Sequence, residues 1–245
     1  MVIIFFIISI IFASILLYLK INLIVTILIT LFILLSCEIA FLIMKSNKIR
    51  DVLELDCDPE KYLELMDKQE KKNKKNERGL IYLDINRSAA YLSLGNVRKA
   101  KEYLDGINTS FLSEINGSSY VYTLNRIVCL YELEETEEAE KLYSTELVRL
   151  SPLDKRMKKS AEILIGERYF YLHQYKESYQ YLKKLLNVDL EKRSYLSVLF
   201  RLAQMDVMNG ERELAIERYK KIAKYGNKLW IAKAARDALE EMSAD

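Results

Sequence analysis

Four small residues, Ala100, Ala139, Ser178 and Ala215, recur at intervals of 39, 39 and 37 residues, each at the same place in a similar window. The windows read LSLGNVRKAKEYL (92–104), YELEETEEAEKLY (131–143), FYLHQYKESYQYL (170–182) and VMNGERELAIERY (207–219). A period in this range is the mark of stacked supersecondary units, each unable to bury its apolar face alone. Every window opens on an apolar helix end, crosses a polar turn, and then sets a small residue four places before a large one: Leu104, Tyr143, Leu182 or Tyr219. Residues four apart share a helix face, so the small one admits a partner helix and the large one fills the space beyond. The turn slot holds Gly95 and Gly210 in the outer units, where positive φ costs a glycine little. Glu134 and His173 hold it in the middle units. His173 is the only histidine, has no second imidazole to share a metal or relay with, and is expected at the surface.

The N-terminal segment calls for a different solvent. From Val2 to Met44 only Lys20 and Glu38 are charged, although 29% of the whole chain is. One helix of that length would be a rod of roughly 65 Å, about twice a bilayer's hydrocarbon thickness. The polar stretch YLKIN (18–22) therefore predicts a loop between two spans, about 2–19 and 23–44. Lys45, Lys48 and Arg50 follow the second span, which by the positive-inside tendency places both termini in the cytoplasm. The competing reading takes Leu34-Leu35-Ser36-Cys37 as a lipidation site of an exported protein. No Lys or Arg lies in the first seven residues, and EIAFLIM after Cys37 stays apolar, so the span is preferred. Glu38 falls inside that span and is expected to face the other helix, a second copy, or the interface.

Three cysteines, Cys37, Cys57 and Cys129, make neither a CxxC pair nor an even disulfide set. Three matches to the glycosylation pattern, at Asn86, Asn108 and Asn116, are treated as chance. Residues 45–245 carry 36 Lys and Arg against 34 Asp and Glu, too balanced for a nucleic-acid binder. The run KKNKK (71–75) reads as a solvated linker, with contact to anionic lipid as the alternative.

The stretch AAYLSLGNVRKAKEYLDGI (89–107) resembles the turn and second helix of tetratricopeptide repeats, with Tyr91, Leu94, Gly95, Ala100 and Leu104 in the family's usual places. Gly166 and Tyr169 match first-helix slots of the third unit, and Ala203 that of the fourth. The likeness covers roughly 80–225. It departs from the family in lacking the early tryptophan, in placing Arg87 and Arg126 at an apolar slot, and in its longer period. The resemblance implies an all-α chain. A two-helix membrane hairpin (1–44) precedes a juxtamembrane helix and charged linker (45–78), an α-solenoid of about four helical hairpins (79–227) and a capping helix (228–245). Asp58 before Pro59 marks a helix start, and Leu229, Trp230, Ala234 and Leu239 form the apolar side of the cap.

The resemblance also implies a concave face lined by first helices that binds a protein or peptide segment. The contact residues it selects are Tyr82, Asn86 and Ser93, then Asn125 and Tyr131, then Glu167, Phe170 and Tyr171, and finally Gln204. Ile85, Ala89, Leu124, Val128, Ile163, Phe200 and Met208 complete that lining. Slots where some members hold lysine for a carboxylate carry Ile85, Leu124 and Ile163 here, and the asparagine slots carry Ala89, Val128 and Glu167. The face is therefore expected to prefer an apolar or helical segment over an acidic tail. With no glycine phosphate loop, HExxH or His–Cys pair, neither catalysis, cofactor nor metal is expected. The reading is a multi-pass membrane adaptor with cytoplasmic repeats, in contact with the bilayer and able to associate with copies of itself through the hairpin. The alternative is an exported or surface-facing lipoprotein-like repeat protein.

Overall fold

The computed structural model describes Ile11, Ser14, Tyr18, Lys20 and residues 22–73 and 76–244. It divides into two compact units, one ending at Arg50 and one from Asp51 onward. From Leu23 onward the described residues form eleven α-helices and two short 3-10 turns, and no strand is present among the described residues.

In the first unit, Asn22 accepts a hydrogen bond from the Ile24 N–H (2.9 Å) at the start of α1 (Leu23–Glu54). At ~1.5 Å per residue, α1 is about 48 Å long. Its apolar part, 23–44, matches the ~30 Å hydrocarbon core. The large apolar side chains from Leu23 through Met44 are mostly exposed, and α1 is the one described helix long and apolar enough to cross a membrane. The expected first span, 2–19, lies outside the described residues apart from Ile11, Ser14 and Tyr18, which are helical; Lys20 stands in a turn with φ 59°. Among the described residues there is thus one candidate span, not the expected pair. The helix itself runs past the apolar span to Glu54, since no glycine or proline interrupts it before Leu55.

The second unit is a row of helical hairpins. α2 (Pro59–Asn73) begins after Asp58, whose carboxylate accepts the Lys61 N–H (3.0 Å), as the Asp-Pro pair predicts. The hairpins are α3 (Glu77–Ser93) with α4 (Val97–Asp105), α5 (Ser118–Glu132) with α6 (Thr136–Thr145), α7 (Lys155–Tyr171) with α8 (Tyr175–Leu185), and α9 (Lys192–Met208) with α10 (Arg212–Tyr225). α2 packs on α3, successive first helices pack on one another, and α11 (Trp230–Ala244) packs on α10.

The hairpins share one closure. Gly95, Glu134, His173 and Gly210 all adopt left-handed backbone, with φ of 75°, 63°, 58° and 77°. Each donates its N–H to the carbonyl three residues back (3.0–3.1 Å), and the next residue donates to the carbonyl five back (2.8–2.9 Å). This paired 5→2 and 6→1 closure stops the first helix and turns the chain into the second. It also fixes where the small residue falls: Ala100, Ala139, Ser178 and Ala215 are all fully buried. Leu104, Leu182 and Tyr219 are buried with them, while Tyr143 is half-buried. Ser178, the polar member, donates its hydroxyl to the Gly166 carbonyl (2.8 Å). A Cβ on Gly166 would stand 2.4 Å from Leu182 Cδ2, so that crossing requires glycine.

Arg87, unexpected at an apolar slot, is 5% exposed and is held by Asp67 (2.9 Å) and Glu70 (2.6 Å) of α2 and by Asp84 (3.0 Å). α2 supplies the counter-charges that make a buried arginine tolerable. The segment around 54–60 joins the other end of the row. Cys57 is fully buried among Leu196, Leu199, Phe200 and Leu229, its carbonyl accepts the Lys228 N–H (3.2 Å), and Asn227 donates to the Asp56 carbonyl (2.9 Å). Arg193 forks onto Glu54 with 2.8 and 3.0 Å bonds. The start of the unit is thereby fastened to its last helices.

Overpacking at the tightest crossing typically costs about 1–3 kcal/mol, so Gly166→Ala should lower stability by that amount in urea denaturation followed by helical circular dichroism. His173→Gly and Glu134→Gly relieve left-handed strain and should leave stability unchanged or raise it by up to about 1 kcal/mol. Equal losses at all three positions would contradict the shared closure.

Candidate binding face

The first helices α3, α5, α7 and α9 place the residues chosen from the sequence in two different environments. Tyr82 is exposed, and Asn86, Glu167, Phe170, Tyr171 and Gln204 are half-buried. Ser93, Asn125 and Tyr131 are buried and already used within the unit. Ser93 Oγ donates to the Ala89 carbonyl (2.8 Å), and Asn125 Nδ2 donates to Ser88 Oγ (3.0 Å), bridging α5 to α3. Tyr131 donates its hydroxyl to Glu140 on α6 and stacks on Tyr171 with ring centres 4.9 Å apart. Of the remaining lining, Ile85 and Phe200 are buried, Met208 is exposed, and Ala89, Leu124, Val128 and Ile163 are half-buried.

A charged network runs across these helices that the sequence reading did not find. Arg201 on α9 donates to the Tyr171 hydroxyl (2.7 Å), to Glu132 (3.4 Å) and to Gln204 (3.0 Å), and lies 4.0 Å from Glu167. Its guanidinium carbon lies 4.3 Å from the Phe170 ring centre and 4.9 Å from that of Tyr171. Tyr171 in turn donates to Glu132. Burial works against the arginine's charge, but Tyr171, Glu167 and Glu132 outweigh it and hold the pKa above the usual value. Glu167 moves up from the ordinary glutamate value because burial disfavours its charge more than Arg201 favours it. Burial likewise pushes the Tyr131 and Tyr171 hydroxyls up.

The expectation of a face without a cation is thus corrected by Arg201, although Glu132, Glu167 and Tyr171 already engage it. Glu132 and Arg201 each sit one residue beyond a chosen position, Tyr131 and Phe200. Proximity to those slots was the only sequence signal, and nothing local pairs residues separated by 69 positions. A second cluster, behind the face, joins α5, α6 and α7: Arg168 donates to Glu140 through Nε (2.7 Å) and lies over the Tyr143 ring (4.8 Å). His173 is exposed in its turn, with Nδ1 2.8 Å from the Tyr175 hydroxyl. Cys37, Cys57 and Cys129 are free thiols, and no group of three or more His, Cys, Asp and Glu side chains among the described residues is arranged to hold a metal.

Against protein-family models, curated proteins and solved structures, the chain has no match.

Because burial raises the Glu167 pKa, its contribution to folding is most favourable below the ordinary glutamate value and falls away as pH rises through the folded value. Glu167→Gln should therefore stabilise the protein at neutral pH, with the gain shrinking as pH is lowered through the raised folded value to the ordinary glutamate value. Arg201→Met leaves two carboxylates without their cation and should cost about 3–5 kcal/mol at neutral pH. Urea titrations across pH read both; a Glu167→Gln effect independent of pH would contradict the assignment.

Proposed function

We propose that this chain is a membrane-anchored scaffold whose helical hairpins are of the tetratricopeptide kind and whose first-helix face holds a segment of another protein. The observation that carries the reading is the shared turn closure at Gly95, Glu134, His173 and Gly210, with a fully buried small residue five positions later in each hairpin. Helix pairs joined in this way bury their apolar sides only against the next pair and leave the first-helix face for a ligand. Tyr82, Phe170, Tyr171 and Gln204 give that face aromatic area and hydrogen-bonding capacity, the composition favoured where proteins recognise one another. The role is binding, without chemistry.

The anchor in this reading is the apolar part of α1, and Lys45, Lys48 and Arg50 directly after it favour a cytoplasmic position for the hairpins. A second crossing would be supplied by 2–19.

Photo-crosslinking side chains at Tyr82 or Gln204, in cells, should trap a discrete protein adduct that the same chemistry at Glu137 or Lys176, exposed on α6 and α8, does not. Equal labelling from both surfaces would remove the binding face. Protease added outside sealed vesicles should leave the hairpins intact, and their digestion would place them on the other side.

A further inference from the structure

The links between one hairpin and the next are unlike the tight turns within hairpins, and each carries an apolar side chain out into solvent. Ile115 is 92% exposed in the link from α4 to α5, Val148 and Leu153 are 65% and 51% exposed between α6 and α7, and Val188 is exposed between α8 and α9. Single exposed apolar residues are ordinary, but a row on adjoining links is not. The links do adjoin. A Cβ on Gly117 would stand 3.2 Å from Leu153 Cδ1 and closer still to Met157, and Lys159 reaches Asp189. An open cleft of about 500 Å³ then joins Arg156, Lys159 and Asp189 to exposed Leu55, one residue past the end of α1.

The same border carries a charge pattern that helix stability does not favour. α7 opens with Lys155-Arg156-Met157-Lys158-Lys159, four cations in its first five residues and no acidic residue in its first turn. Cations at a helix N-terminus oppose the helix dipole and cost stability. Asp154 caps the helix and pairs with Arg156 (3.1 Å), and Asp189 faces Lys159 at 3.8 Å. Lys155 and Lys158 are exposed, with no acidic partner among the described residues. Exposed apolar tips beside unneutralised cations suit the boundary of an anionic bilayer, where apolar groups enter the headgroup layer and lysines attract acidic lipid.

We propose that this border, from Ile115 through Leu153 and the α7 basic cluster to Leu55, docks on the anionic lipid leaflet from which α1 emerges. The proposal rests on the reading of α1 as a membrane span, and it turns the second unit from a tethered body into one held in a fixed orientation at the surface. Leu55 places the docking border beside the point where the chain enters that unit, so the bilayer is within reach without unfolding any helix.

The test uses the full chain in nanodiscs containing brominated lipid, with Ile115→Trp, Leu153→Trp, Glu134→Trp or Phe32→Trp and the signal of native Trp230 subtracted. In discs of mixed phosphatidylcholine and phosphatidylserine, emission at 115 and 153 should fall at least twofold, while emission at 134, on a turn within a hairpin, should not. Replacing Lys155, Arg156 and Lys158 together by glutamine, or omitting phosphatidylserine, should restore it, since three cations at about 1 kcal/mol each shift docking roughly a hundredfold. Quenching at 32 without quenching at 115 and 153 overturns the docking surface alone and leaves those links to a protein partner or to solvent. No quenching at 32 overturns the membrane span and the docking with it. Equal quenching at 115 in neutral and acidic discs overturns the role of the basic cluster. Unchanged helical circular dichroism in each variant separates these outcomes from unfolding.

Discussion

The structure depends on close approach between two helices at a residue with almost no side chain. In each hairpin the left-handed turn sets the phase of the second helix, and phase decides which residue meets the first helix. Ala100, Ala139, Ser178 and Ala215 are fully buried because the turns at Gly95, Glu134, His173 and Gly210 leave no other register. Packing at this distance tolerates little error, since interiors are as dense as organic crystals. That Glu134 and His173 accept left-handed backbone, against the preference of residues with a Cβ, indicates that the surrounding contacts outweigh a local cost of order 1 kcal/mol.

Buried charge supplies a second layer of specification. Arg87, Arg193, Arg201 and Arg218 each lose most of their water, and each faces a carboxylate on another helix or segment: Asp67 and Glu70, Glu54, Glu132, and Asp206 at 2.7 Å. Such pairs add little net stability because desolvation offsets the attraction, but a mispaired register would strand a charge in the interior. They discriminate between ways of stacking similar hairpins, a real ambiguity for a chain built from near-repeats.

The segment by which the chain enters the second unit follows the same logic. Residues 54–60 are neither linker nor repeat: Cys57 is fully buried, and Glu54, Asp56, Asp58 and Glu60 are tied to Arg193, Asn227 and Lys228. Residues 54–60 are thereby fixed to the last helices of their own unit rather than to its first hairpin. If the links dock on lipid as proposed, the docking border includes Leu55, the first residue past α1.

Helix positions, the buried small residues, the Asp58 cap and the apolar run of α1 were legible in the sequence because each rests on local physics: a four-residue face, a turn that wants positive φ, a cap before proline, a stretch with one charge. The contents of the candidate face were legible only in part. The family resemblance selected Tyr82, Phe170 and Gln204, but it equally selected Asn125 and Tyr131, which packing against Ser88 and Glu140 removes from the surface. The link from Arg201 to Glu132, the α2 partners of Arg87 and the packing of Leu196 on Cys57 join residues 69, 17 to 20 and 139 positions apart. Nothing local couples such residues. The sequence by itself determined the hairpins, since hydrogen bonding and side-chain size act over a few residues; which side chains face outward and which end of the row closes on residues 54–60 was decided only in three dimensions, where burial sets the energy of each charge.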